Sequence, residues 1–141
     1  MNDSLFDEPA RHIPEPVPKL TAGERLRRRQ AASILAGRHP LSDPPGGPLR
    51  YGVLRLHPEA SRVTVRELVP PGTPTCGGCR FRSPVHGGAK DYPKCTWGRS
   101  PTTSPSGYSY EKPGPRESHS ERSDVRAWWP ACIDHEPVAP P

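Results

Sequence analysis

Large apolar residues are scarce: Leu, Ile, Val and Phe make up 22 of 141 residues, and there is a single Met. That share lies below the one-fifth level at which a self-supporting core becomes doubtful. No apolar run approaches the roughly 20 residues that a membrane-spanning helix requires, so no membrane partner is expected. The opening residues carry Asp3, Asp7 and Glu8 and lack the basic-then-apolar order of a secretory leader. A cytoplasmic location, where thiols stay reduced, follows as the expectation. Phosphate-cradling glycine loops, HExxH and the HxE…PCxxC pattern of zinc deaminases are all missing. Glu121, Asp124 and His119 are close in sequence, but they lie at the edge of an expected flexible segment and proximity alone establishes no pocket, so the chain reads as a non-enzyme.

What the chain does have is 22 Pro and 13 Gly, about a quarter of its residues, a formal charge of +5 and four cysteines. Pro and Gly at this level predict stretches without regular structure. A small region with so thin a core usually needs a disulfide, a metal or a partner to fold. The positive charge favours a polyanionic partner.

The cysteines carry the most information. Cys76 and Cys79 form Cys76-Gly77-Gly78-Cys79, while Cys95 and Cys132 sit beside aromatics in Tyr92-Pro93-Lys94-Cys95-Thr96-Trp97 and Trp128-Trp129-Pro130-Ala131-Cys132. Two residues between thiolates allow a tight turn with both sulfurs on one side, and Gly77 and Gly78 permit positive φ there. The interval from Cys79 to Cys95 suits a hairpin that returns to the turn. The longer interval to Cys132 is tolerable, because loop-closure cost grows only logarithmically with length. Cys76, Cys79, Cys95 and Cys132 are therefore read as ligands of one structural Zn2+, with His86, His119 and His135 as substitutes. The alternative is an iron–sulfur cluster inside an aromatic shell, an arrangement similar in cysteine order to high-potential iron proteins. A thioredoxin-like redox pair ranks third, since Arg80-Phe81-Arg82 does not look like a helix start. Phe81, Tyr92, Trp97, Trp128 and Trp129 are expected to form a miniature core around the metal.

Elsewhere, Thr21-Ala22-Gly23-Glu24 is a capping box, and Gly37 followed by His39-Pro40 is a stop signal, which together predict a helix. Arg25, Arg27, Arg28, Arg29 and Arg38 leave residues 20–39 at a net +4. This face can contact phosphates, or it can simply be solvated. Residues 51–56 and 61–69 have strand-like content, with Val63, Val65 and Leu68 nearly alternating with polar residues.

The expected layout is an acidic, Pro-rich disordered tail over 1–19, a basic helix over 20–38 and a Pro/Gly linker over 39–50. A four-cysteine metal-binding domain follows over 51–136, with a flexible insertion at 99–120 and a tail at 137–141. The fold class is a small, irregular, mostly-β, metal-stabilised domain, zinc-ribbon or knuckle-like, with one N-terminal α-helix and disordered tails. The expected function is a zinc-stabilised binding module associated with nucleic acid or a nucleic-acid-processing protein. Arg25, Arg27, Arg28, Arg29, Arg80, Arg82 and Lys94 are its candidate nucleic-acid contacts. Two alternatives are a protein–protein adaptor acting on a host factor and an iron–sulfur electron-transfer or regulatory protein.

Three segments are familiar in combination: the helix ending Ala36-Gly37-Arg38-His39-Pro40-Leu41, the Thr75-Cys76-Gly77-Gly78-Cys79 turn, and Ser123-Asp124-Val125-Arg126-Ala127-Trp128-Trp129-Pro130-Ala131-Cys132. The combination resembles uncharacterised small four-cysteine proteins of actinobacteria and their bacteriophages. The resemblance covers about half the chain and implies an intracellular, phage-encoded accessory protein. It assigns no activity.

Overall fold

The computed structural model describes residues 11–42, 53–87, 90–118 and 120–139, with the backbone alone described for 84–87, 90 and 91. Residues 1–10, the linker over 43–50, Tyr51, His119 and residues 140–141 lie outside the described residues, as does the side chain of His86.

Among the described residues, one α-helix, two small antiparallel sheets and a few 3-10 turns make up the regular structure. Helix α1 runs Ala22–Leu35. Its first turn is closed as the sequence predicts: the Glu24 amide donates to Thr21 Oγ1 and the Thr21 amide to the Glu24 carboxylate. Gly37 ends it at φ 77°, a conformation that disfavours a side chain. The buried face is narrow, with Gln30, Ser33 and Ile34 inside. Among the described residues, no helix is long and apolar enough to cross a membrane.

Strands β1 (Arg82–Gly87) and β2 (Lys90–Cys95) form a hairpin in which Arg82 pairs with Cys95. This is the return expected between the second and third cysteines. A second hairpin, β3 (Ser100–Thr103) with β4 (Ser109–Lys112), occupies the segment expected to be a flexible insertion. Its residues are nearly all exposed, so it forms through backbone pairing and turn chemistry rather than burial. Residues 61–69 form no strand. They end in a single 3-10 turn, Arg66–Leu68, with Val65 and Leu68 exposed.

The core is one cluster: Ile34, Leu41, Leu54, Cys76, Val125, Trp129 and Cys132, with Cys95 and Trp128 packed against it. It draws on both sides of residues 43–52, so the helix and the cysteine-bearing segments share one interior. His39, Pro40, Leu41 and Ser42, which the proline pattern places at the start of a linker, are buried. The His39 amide donates to Leu54 O at 2.8 Å, so this stretch is built in by backbone pairing. Of the aromatics expected inside, Trp129 is fully buried, Phe81, Trp97 and Trp128 are half-buried, and Tyr92 is exposed.

Candidate metal centre

Backbone pairing fixes the cysteine positions. The Cys76 amide donates to Trp129 O at 2.9 Å, Gly77 to Ala127 O at 2.8 Å, and Ala131 to Pro74 O at 3.1 Å, which lays the first cysteine pair against the Cys132 segment. Cys76–Gly78 is a 3-10 turn, and the Cys79 amide donates back to Cys76 O at 3.1 Å. Neither glycine of this turn has positive φ. Gly77 is required for a different reason: a Cβ there would lie 2.9 Å from Ala127 O, closer than real contacts allow. Arg80 N–H donates to Glu136 O and Val138 N–H to Gly78 O, so residues 136–138 pair with the turn instead of forming a free tail. Cys95 comes into place through its pairing with Arg82 in the first hairpin.

All four cysteines are free thiols lining one cavity of about 20 Å³, together with His39, Leu54, Val125 and His135. Among the described residues, no group of three or more His, Cys, Asp or Glu side chains is arranged to hold one metal ion.

Burial pushes the Cys76 thiol well above its ordinary range, and the neighbouring Cys132, Cys95 and Cys79 add to the effect against an opposing Arg82. Cys95 and Cys132 are also raised, chiefly by burial. Without a cation Cys76, Cys95 and Cys132 stay protonated and are poor nucleophiles. A metal would displace the protons and reverse that state.

Two residues missed by the sequence reading supply hydrogen bonds to sulfur. His39 Nδ1 accepts from the Leu41 amide at 3.1 Å, so Nε2 carries the proton and donates to Cys76 Sγ at 3.1 Å. Burial and then Arg116 lower the His39 pKa from 6.5 to about 3, which keeps the ring neutral. Its edge meets Trp129 at a centroid distance of 5.7 Å. Arg116 is 4 % exposed and lies over the Trp97 ring at 4.1 Å. It ion-pairs with Asp134 and points Nη1 at Cys132 Sγ (3.7 Å) and Cys95 Sγ (3.9 Å). No pattern in the 99–120 segment distinguishes Arg116 from its neighbours, and His39 was hidden by the proline that follows it.

Two buried nitrogens here, Arg116 Nε and His135 Nε2, have no hydrogen-bond partner among the described residues. Each such orphan costs about 1–3 kcal/mol unless an acceptor or a metal engages it.

The candidate nucleic-acid residues are scattered. Lys94 is 5 % exposed and engages Asp124, Ser123 Oγ at 2.8 Å and Ser120 O at 2.9 Å, so it is an interior strut with no free charge to offer a partner. Arg80 pairs with Glu136 at 2.5 Å. Arg25 folds back onto Leu20 O at 2.7 Å. Arg28 and Arg29 are exposed on α1, whereas Arg27 and Arg82 line a large recess beside the cysteine turn. Asp124 is the ion-pair partner of Lys94.

No protein-family model, no curated protein and no solved structure matches this chain.

Proposed function

We propose that this chain is a small iron–sulfur protein whose Cys76, Cys79, Cys95 and Cys132 hold a polynuclear cluster, and that it works as a redox-responsive regulatory module. One observation carries the reading: four thiols from three separate stretches of chain line one small cavity, and two further side chains aim hydrogen bonds at their sulfurs. The single structural zinc favoured by the cysteine spacing is the competing occupant of the same four thiols. The surroundings suit it as well. Cluster potentials are set by net charge, by hydrogen bonds to sulfur and by solvent exposure. His39 Nε2–H and Arg116 both supply hydrogen bonds to sulfur, and Arg116 adds a positive charge.

When bound, the cluster would supply one-electron chemistry. The chain's own residues would hold and shield it: Leu41, Leu54 and Val125 limit water access, and Arg116, fixed by Asp134, offsets thiolate charge. Because the apolar core is so small, ligation would also contribute folding energy, which links occupancy to structure.

Anaerobic purification followed by elemental and sulfide analysis tests the proposal. Iron and acid-labile sulfide in comparable amounts are expected, with a visible absorption band that is lost in Cys95→Ser. One zinc per chain with no iron would overturn the cluster and restore the single-ion site.

A further inference from the structure

A recess of about 940 Å³ lies between α1 and the segment from Glu121 to Trp128. Four arginines line it: Arg27, Arg66, Arg82 and Arg126. They come from four distant parts of the sequence, so no run of basic residues marks the site. Two carboxylates also face it, Glu121 and Asp124, but Asp124 is neutralised by Lys94. The recess therefore carries a net charge of about +3.

Among the described residues, no carboxylate lies in ion-pair range of any of the four arginines. Two of them are anchored through one nitrogen: Arg27 Nε donates to Gly23 O at 3.4 Å and Arg82 Nε to Val125 O at 3.0 Å. The remaining nitrogens of those forks can turn to a ligand. Arg66 and Arg126 are exposed. The half-buried Trp128 ring and the exposed Gly77 turn complete the lining.

The geometry points to this recess as a binding site for single-stranded nucleic acid, with the four arginines on phosphates and Trp128 as a stacking surface. Grooves that take single strands combine cationic walls with an aromatic platform. The volume is at the upper end of the roughly 300–1,000 Å³ range of ligand pockets, room for a few splayed nucleotides. The inference does not depend on what the four sulfurs hold. It also moves the contact away from the exposed face of α1: Arg28 and Arg29 are outside the recess, and Arg66 and Arg126 replace them.

The test is fluorescence anisotropy with the full chain and a short labelled single-stranded oligonucleotide, between about 50 and 200 mM salt. The doubly neutralised R66Q/R126Q should bind at least tenfold more weakly. Its log–log salt slope should be shallower by about 1.4, from two phosphate contacts at about 0.7 each. The R28Q/R29Q pair, equal in charge change but outside the recess, should lose threefold or less. Urea unfolding of R66Q/R126Q should match the parent, because both side chains are exposed. Absence of binding by the parent, equal loss in the two double variants, or duplex binding as tight as single-strand binding would each overturn the assignment. Iron analysis on the same samples reads the cysteine proposal separately.

Discussion

Arg116 and Asp134 form a largely buried ion pair whose guanidinium also reaches the sulfurs of Cys95 and Cys132. The pair joins the segment after β4 to the residues just beyond the last cysteine, a connection made by no strand or helix.

Removing one partner leaves the other charge stranded. Arg116→Gln should destabilise the protein by about 3 kcal/mol, the low end for breaking a buried pair because Asp134 is partly exposed. Urea unfolding reads this directly. In protein loaded with a cluster, the same variant should have a lower reduction potential, since a cationic donor to two sulfurs is lost. An unchanged potential in a correctly folded variant would remove Arg116 from any tuning role.

The two glycines of the cysteine turn should respond differently to alanine. At Gly77 the new methyl meets the Ala127 backbone and Cβ at 2.9–3.0 Å, and the paired segments must part. About 1–3 kcal/mol of stability should be lost, in the range of other overpacking changes. At Gly78 nothing lies within 4 Å and φ is ordinary, so Gly78→Ala should be close to neutral. Thermal melts of the two variants make the comparison.

Trp129 is 1 % exposed and is the largest fully buried side chain. Trp129→Ala should cost about 3–5 kcal/mol. With so few other apolar residues inside, the expected outcome is loss of cooperative unfolding in a chemical denaturation curve.

Acid should loosen the second hairpin through Glu117. Burial raises its pKa, but hydrogen bonds from Arg99 and the Gly114 amide, with the Arg99 charge, outweigh burial and leave it below the ordinary carboxylate value. A carboxyl depressed in the folded state contributes stability that is present above its unfolded pKa and is lost as pH falls through the folded value. Stability should therefore fall on acidification below about pH 4.5. Glu117→Gln should be less stable at neutral pH and flatter across that range, as measured by urea midpoints at several pH values.

The parts of this fold that sequence could reveal are those fixed by local chemistry. Thr21 and Glu24 cap α1 as the motif requires, and Gly37 stops it. The spacing of Cys79 and Cys95 required a return, which β1 and β2 provide. Alternation misled at residues 61–69, because Val65 and Leu68 have no partner strand or core to face and remain exposed. In β3 and β4 the reverse holds: strands form with no buried face, so periodicity had nothing to report. Cysteine order pointed to one shared cavity, but the residues that wall it are brought together by distant pairings such as Gly77 with Ala127. His39 and Arg116 acquire their contacts with sulfur only through tertiary placement.

Val125 and Arg82 line both the sulfur cavity and the arginine recess. These shared wall residues are tied in place by the Arg82 bond to Val125 O and the Val125 amide bond to Pro93 O. Ligands bound in both compartments would press on the same two residues, and such linkage is reciprocal: each would change the other's affinity by the same factor.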